Sequence, residues 1–529
     1  MSGIGSEAER RHMETEDLSP QVLTCSLQEG KNDVPEVGVD VLIEEMAMRP
    51  YTDSYKVRYE GQTIQMTSLD WRNNWLLIAQ IAVGWCIFIL FGLGEQTLGT
   101  IIPRLQKHYG INDLKTALVF LSATSGYFLM AMLSEICHIK IGYRGVGIMG
   151  TGCMVVGYVI AGTGPPFGAF IAAYFFVGIG FGSMGASFNG YLGNLINSAP
   201  LLGILHGCYG IGCITTPPLV TALINKKTNP WSVFHYYFVL AGVSGFLSTS
   251  VALIFRHETA TKYRLTVLLN EARRRVQEAN LKCESTESIE AQYPVDDYAD
   301  KSNELDCRED VAPSNSNEPL VEPEKNTSAL KSKLVWSISI IIFVYVSGEA
   351  AFGAWLVSFC LKIKHLPYQY SSYMAATFWA GLTTGRMGLG FATEFWFKDA
   401  ILANTIYIAG SLLGFTVFSI AALFNVSAIL FPIVFFLGFF VGPVYPTTIV
   451  AIVNILPVKL HASGIGFICA FGGGGGAAAP FLIGLVASSS EQGLRFYPMI
   501  VTILYAILIV MWAILVIYTK RMKRKQGST

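Results

Sequence analysis

The chain has 529 residues, of which 52% are hydrophobic and only 14% are charged. Soluble domains carry roughly 25% charged residues, so this composition excludes a conventional soluble enzyme and a nucleic-acid-binding module. The 37 basic and 37 acidic residues cancel, and the net charge therefore indicates no partner. The ten cysteines are scattered without a CxxC pair, which argues against a disulfide framework or a zinc site. The sequence predicts an integral membrane protein without a metal or another cofactor.

Residues 1–73 are polar and acidic and contain no early apolar segment. A secretory signal peptide needs such a segment. We therefore interpret this part of the chain as a disordered tail.

Apolar segments begin near Trp75 and recur towards the end of the chain. A hydrocarbon core of about 30 Å needs about 20 apolar residues per helix. Twelve segments of this kind occur, at 76–103, 114–136, 144–163, 167–195, 202–225, 232–255, 334–361, 370–393, 400–423, 427–453, 463–488 and 495–519. They predict an all-α membrane protein with twelve transmembrane helices, arranged as two six-helix bundles over 74–256 and 334–520.

A polar linker, residues 257–333, separates the two predicted bundles. Its first part, Tyr263–Ala279, places apolar residues at helical spacing and predicts a basic amphipathic helix that lies on the membrane or is solvated. The apolar residues are Leu265, Leu268, Leu269, Ala272 and Val276. The rest of the linker is acidic and rich in Ser, Asn and Pro, and we expect it to be disordered. Residues 521–529 form a short basic tail.

The distribution of Lys and Arg near the ends of the spans predicts the orientation. These residues favour the side of the two termini by about two to one, and such an excess is typical of the cytosolic side. We therefore expect both termini and the linker to be cytosolic. The sequence does not distinguish the plasma membrane from an endomembrane such as the vacuole.

Three short motifs recur in the same order in the two halves, and one of them reads G-E-x-x-x-G. The pairs are Gly94–Gly99 with Gly348–Gly353, Phe175–Gly178 with Phe435–Gly438, and Gly210–Pro218 with Gly472–Pro480. This order predicts a duplicated six-helix unit. Because six is an even number, both copies have the same orientation in the membrane.

A six-plus-six duplication with a long central linker resembles the major facilitator superfamily over residues 74–520. Several segments more narrowly resemble its fucose–proton symporter-like branch, which includes fungal members and sodium–glucose carriers of animals. These segments are Gly99–Pro103 with Tyr109-Gly110, Leu205–Gly210, Gly348–Trp355, and Phe378–Gly381 with Gly385-Arg386. The resemblance implies a monomeric secondary transporter that works by alternating access. It also implies a small polar organic solute as substrate, with a monosaccharide as the first choice, and a proton as the coupled ion.

The cytosolic loop motif of the superfamily, roughly G-x-x-x-D-R-x-G-R-K, is degraded in this chain. Gly142 and Arg144 are retained, but Ile139 takes the place of the expected Asp. The nearest acidic residue is Glu135, one helical turn earlier. Arg144 and Glu135 are therefore candidates for a structural or gating role.

Two glutamates lie inside predicted spans at equivalent positions of the repeat, Glu95 and Glu349. An ionisable side chain at the centre of a membrane costs about 2.5–3.5 kcal/mol on insertion scales. We predict that both residues face a central cavity and bind a proton or a sodium ion during transport. The alternative is that each carboxylate is permanently hydrogen-bonded to an arginine or to the backbone.

Arg386 and His206 also lie inside predicted spans, towards the cytosolic ends. We expect Arg386 to pair with Glu394 or to extend towards the membrane surface. We expect His206 to be a hydrogen-bonding group at that surface. Substrate binding by Arg386 and proton relay by His206 are the alternatives.

Sugars are recognised by amide groups and by the faces of aromatic rings. The residues of these types that we select for a substrate cavity are Gln96, Asn189, Asn194, Trp355 and Trp379. The alternative for each aromatic residue is that it packs in the bundle or lies at the membrane interface.

The chain contains no HExxH, GxSxG or nucleotide-binding motif, so we do not expect an enzyme or an ATP-driven pump. The expected partners are a small-molecule substrate, a proton or sodium ion and the lipid bilayer, and no nucleic acid. The alternatives to a proton-coupled carrier are a non-transporting nutrient sensor on the same fold, a sodium-coupled or facilitative carrier, and a lipid carrier.

Overall fold

The computed structural model describes the two predicted bundles and a small folded element beside the first of them. The described residues are 54–60, 62–196, 198–273, 276, 331–397, 399–424, 427–456, 461–490 and 492–526. Most of the predicted disordered tail and most of the predicted disordered linker lie outside these residues.

The first half consists of five helices that make six spans. The helices are α1 (Trp75–Tyr109), α2 (Asp113–Gly162), α3 (Phe167–Gly193), α4 (Ser198–Ile224) and α5 (His235–Ile254). Asn74 caps α1, because its side chain accepts hydrogen bonds from the amides two and three residues further on. Helix α2 is broken at Gly142, whose φ of 67° lies outside the helical region and is readily adopted only by glycine. Its two limbs, 113–141 and 143–162, are therefore separate spans.

The second half repeats this plan with one interrupted span. Its helices are α6 (Lys333–Lys362), α7 (Tyr368–Trp396), α8 (Ala400–Ala421), α9 (Leu430–Val441), α10 (Val444–Ile455), α11 (His461–Ser489) and α12 (Tyr497–Gln526). Only Gly442 and Pro443 separate α9 from α10, so these two helices form a single span. Ten helical segments of the described chain are long and apolar enough to cross a membrane. Helix α7 and the first limb of α2 complete the twelve spans, and the predicted fold class is confirmed.

Glycines of the repeated Phe-Phe-x-Gly motif form equivalent helix crossings in the two halves. A Cβ atom on Gly178 of α3 would collide with the backbone of Ala123 on α2. A Cβ atom on Gly438 of α9 would likewise collide with the backbone of Phe378 on α7. Such close approach of two backbones is possible only without a side chain. The same pair of spans is thus joined in the same way in each copy, as the internal repeat predicts.

Hydrogen bonds join the two halves at one end of the bundle. We call the end where α1 begins and α5 ends the linker side, and the opposite end the far side. Three hydrogen bonds between the halves lie towards the far side: Lys362 to Asp113 at 2.7 Å, Thr221 with Ser372 at 2.5 Å, and the Tyr368 hydroxyl to the Thr100 carbonyl. These contacts hold the two halves together on the far side.

A β-hairpin lies on the linker side of the first half, within the segment predicted as a disordered tail. Strands β1 (Tyr55–Tyr59) and β2 (Gln62–Met66) pair antiparallel. The prediction of disorder is wrong for these residues, because Val57 and Ile64 face inward and are buried against apolar residues of the linker.

The first part of the linker forms the predicted helix, described over residues 260–273 and here called the linker helix. Leu265 and Leu269 are each only 1% exposed and pack against the hairpin. The apolar face of the linker helix therefore covers the hairpin, and neither expected environment, the membrane surface or solvent, applies to it.

Candidate functional site

The two G-E-x-x-x-G motifs bring Glu95 on α1 and Glu349 on α6 into the interior between the halves. Gly99, at the end of the first motif, approaches Ala354 of α6 so closely that a Cβ atom would lie 3.2 Å from its carbonyl oxygen. Glu349 is near enough to Glu95 to interact with it electrostatically. The absence of a side chain on Gly99 therefore lets α1 and α6 approach closely near the two carboxylates.

Glu95 receives a hydrogen bond from a neutral group. The Tyr209 hydroxyl of α4 donates to its Oε2 atom at 2.9 Å. No basic side chain of the described residues forms an ion pair with this carboxylate. An ionised Glu95 thus carries a charge that its neighbours hydrogen-bond but do not balance.

Glu349 is balanced by a positive charge. The Nη2 atom of Arg386 on α7 lies 3.3 Å and 3.4 Å from the two carboxylate oxygens. The two side chains are 12% and 8% exposed, so the ion pair is largely buried. Pairing of Arg386 with Glu394 was expected from the sequence, but the structure assigns Arg386 to Glu349, and the Glu394 side chain lies outside the description. We call Glu95, Tyr209, Glu349 and Arg386 the central cluster.

Five buried polar atoms near the central cluster have no hydrogen-bond partner in the described part of the chain. They are the hydroxyls of Tyr158, Ser347, Thr383 and Tyr505 and the indole nitrogen of Trp379. Four of them lie against glycines beside the cluster or in its motifs: Tyr158 at Gly94, Thr383 at Gly210, Tyr505 at Gly348 and Trp379 at Gly353. Buried polar groups normally have hydrogen-bond partners. A group of five without partners is therefore unusual and marks this region as a candidate binding site. Sequence analysis missed the four hydroxyl residues, because nothing in the sequence separates them from the many other hydroxyl residues of the spans.

Two of the five residues predicted to line a substrate cavity join this region. Gln96 follows Glu95 on α1 and is 3% exposed. Trp379 is buried, and its ring stands edge-on to the Tyr209 ring at 5.7 Å. Both residues are therefore placed beside the central cluster.

The other three residues selected for the cavity do not join the central cluster. Trp355 is fully buried, and its indole donates to the Pro480 carbonyl at 2.9 Å within the second half. The Asn189 amide donates back to the Gly185 carbonyl of its own helix. Asn194 is exposed at the C-terminal end of α3, on the linker side. These three residues are therefore not assigned to a substrate cavity. Trp355 packs within the second half, Asn189 is bound to its own helix, and Asn194 lies at a helix end.

His206 was expected to lie at the membrane surface. In the structure its ring instead packs inside the bundle. Its ring is 5.7 Å from that of Phe88 and 6.2 Å from that of Tyr445 in the second half. Arg144 and Glu135 are exposed on the linker side. The Arg144 amide donates to the Glu258 carbonyl at 3.1 Å. This contact ties the turn at Gly142 to the chain that enters the linker helix.

Comparisons with known proteins agree with this architecture. The family model of the Major Facilitator Superfamily matches residues 84–415. The protein named bypass of stop codon protein 6 of Saccharomyces cerevisiae is 29% identical over 472 residues, which cover 87% of this chain and 86% of the yeast protein. A Helicobacter pylori protein named for glucose/galactose transport is 25% identical over 388 residues, 72% of this chain and 82% of the relative.

The crystal structure of the E. coli fucose:proton symporter has a similar fold. It matches with a TM-score of 0.50 at 14% identity and covers 83% of this chain and 98% of the symporter. At this identity the match shows the fold alone.

Proposed function

Because the chain belongs to the Major Facilitator Superfamily, we propose that it moves a small polar organic solute across a membrane by alternating access and that a proton moves with the solute. Membership of the family indicates that the chain is a membrane transporter, but it identifies neither the solute nor the ion. The central cluster supports the choice of ion and the class of solute.

The different charge balance of Glu95 and Glu349 is the observation that supports coupling. Arg386 neutralises Glu349, whereas in the described part of the chain Glu95 is held by the Tyr209 hydroxyl at 2.9 Å and by no ion pair. A buried carboxylate without a counter-charge is costly unless it takes up a proton or a cation. We therefore assign the coupling role to Glu95. A proton suits Glu95 better than sodium. The Tyr209 hydroxyl donates its hydrogen to the carboxylate, and in this orientation the lone pairs of the hydroxyl oxygen do not point towards an ion bound by the same carboxylate.

The unpartnered polar atoms support a solute rich in hydroxyl groups. Tyr158, Ser347, Trp379, Thr383 and Tyr505 present hydrogen-bonding groups near the same two carboxylates. A monosaccharide offers several hydroxyls, each of which both donates and accepts. The relative named for glucose/galactose transport supports the same class of solute.

An alternating-access cycle has two states that open to opposite sides, and the far-side contacts fit one of them. Contacts that hold the halves together on the far side fit a state of the cycle that opens towards the linker side. Opening the far side requires breaking the Lys362–Asp113, Thr221–Ser372 and Tyr368–Thr100 contacts. We propose, from the distribution of Lys and Arg, that the linker side is cytosolic.

Uptake into proteoliposomes tests this proposal. The purified full chain is screened with labelled monosaccharides and other small metabolites under an imposed proton or sodium gradient. We expect a polar solute to accumulate under the proton gradient and to equilibrate without it. Accumulation driven by sodium alone would overturn the choice of ion. If the folded protein moves none of the solutes, the transport proposal fails and a sensor on the same fold is favoured.

A further inference from the structure

The span formed by α9 and α10 breaks next to the central cluster, for a reason visible in the sequence. Proline has no amide hydrogen to donate to the carbonyl four residues earlier. Pro443 and Pro446 therefore leave the carbonyls of Phe439 and Gly442 without their intrahelical donors. In the interior of a membrane protein such carbonyls need another donor.

Arg386 supplies the donor for Gly442. Its Nε atom donates to the Gly442 carbonyl at 3.1 Å, while its Nη2 atom lies 3.3 Å from Glu349. One planar guanidinium thus joins α6, α7 and the helix break, and its fork geometry fixes both contacts together. Tyr345 adds a second link from α6, because its hydroxyl donates to the Val441 carbonyl at 2.9 Å.

Helix α10 carries the effect of the break to the interface between the halves. The Tyr445 ring, on the first turn of α10, is 6.2 Å from the His206 ring of the first half and 6.3 Å from the Tyr345 ring of α6. A change of angle at the break would therefore move an aromatic contact between the two halves. Hinges of this kind are made by a few residues that absorb the backbone change.

We propose that Arg386 is a positioning residue that couples the charge of Glu349 to the break between α9 and α10. This inference rests on the proposed function, since it assigns a moving element to the transport cycle. While Glu349 is ionised, the guanidinium is held and the Gly442 carbonyl is satisfied. When Glu349 carries no charge, the guanidinium loses its fixed partner, and the break is free to bend.

Arg386 is suited to this role by its surroundings. The other charged or titratable groups of the described chain that interact electrostatically with Glu349 are Glu95, Tyr209, Cys213, Tyr345 and Tyr505. None of these is basic. Loss of the Glu349 charge is therefore felt first by Arg386.

Hydrogen–deuterium exchange of the purified full chain tests the inference without any substrate. In Glu349→Gln the amides of 444–452 are expected to exchange about tenfold faster, since a hydrogen bond to a charged group contributes about 1.5–3 kcal/mol. Exchange in α3 serves as the internal reference for a folded protein. Arg386→Lys keeps the charge but loses the fork, and it is expected to give the same increase.

Two proline variants separate a hinge from general loosening. Pro446→Ala restores an amide that donates to the Gly442 carbonyl, so it is expected to suppress the increase in the Glu349→Gln background. Pro443→Ala is the matched control, because it restores a donor to Phe439 instead and is expected to leave the increase in place. Unchanged exchange in Glu349→Gln, or equal suppression by both proline variants, would overturn the inference. Neither outcome depends on uptake, so failure of the proposed transport function is detected separately.

Discussion

Glu95 and Glu349 occupy equivalent positions in a duplicated motif, but they have different partners. The repeat of G-E-x-x-x-G predicts both positions, because the motif recurs in corresponding spans. The partners are not predictable in this way. Each partner lies on another helix: Tyr209 is 114 residues from Glu95 along the chain, and Arg386 is 37 residues from Glu349, on the next helix. The duplication fixes where the carboxylates lie, and later divergence of α4 and α7 determines how each charge is balanced.

This difference predicts opposite effects of the two neutral substitutions on stability. Glu349→Gln leaves the Arg386 charge buried and unpaired, and breaking a buried pair in this way costs roughly 3–5 kcal/mol. Glu95→Gln removes a charge without a counter-ion and is expected to leave stability unchanged or to raise it. Thermal unfolding of the detergent-purified variants measures both effects. The double variant Glu349→Gln/Arg386→Gln should recover much of the loss, and a loss as large as in Glu349→Gln would contradict the pairing.

At the scale of helices, glycines define where the spans cross, and hydropathy defines where they run. The apolar segments predict the spans because membrane helices must be long and continuous. The break of α2 at Gly142 falls between two predicted spans. The hairpin was not predictable from the sequence, because its strands are only 5 residues long and lie in a polar segment. Its stability comes from the linker helix, which is distant in sequence.

The glycine crossings predict that adding a single methyl group at a crossing lowers the thermal stability of the protein. Gly178→Ala places a Cβ atom against the Ala123 backbone, which cannot move aside as a side chain does. Overpacking of this kind costs about 1–3 kcal/mol, and we expect a clear loss of thermal stability. Gly185→Ala on the same helix is the control, because nothing lies within 4 Å of its Cβ position. Equal melting temperatures for the two variants would contradict the crossing.

The contact between hairpin and linker helix predicts a local effect. Ile64→Asp places a charge in the apolar cluster that contains Leu265 and Leu269. We expect the linker helix to become sensitive to limited proteolysis near these leucines while the bundle keeps its melting temperature. The exposed Arg58→Asp on the neighbouring strand is the control. Unaltered cleavage in Ile64→Asp would show that the helix is held by other contacts.

At the scale of the whole molecule, the duplicated six-helix unit determines the architecture. The side to which the transporter opens depends on contacts between the halves. Lys362 is one of the basic residues near the span ends, which the sequence analysis used only to predict the orientation. In the structure its ammonium group joins Asp113 across the halves at 2.7 Å. Contacts of this kind depend on how two bundles are placed against each other, and a hydropathy pattern contains no information about that placement.

Removal of this ion pair is expected to favour opening of the far side. Lys362→Gln is combined with Ser372→Cys, whose position is buried at the far-side interface. Labelling by a membrane-impermeant maleimide should become about two- to fivefold faster, since a partly exposed pair contributes up to about 1 kcal/mol. Arg495→Gln is the control, because the Arg495 guanidinium donates to the Gln492 side chain in its own half. Equal labelling rates in Lys362→Gln and Arg495→Gln would contradict a role of the pair in closure.

The most direct measurement compares gradient-driven accumulation with equilibrium exchange in Glu95→Gln, using a solute that the wild-type protein accumulates in proteoliposomes. Because the substituted side chain cannot exchange a proton, we predict that exchange persists while accumulation under a proton gradient is lost. Accumulation by Glu95→Gln at the wild-type level would show that the proton moves elsewhere and would contradict the central role of this carboxylate.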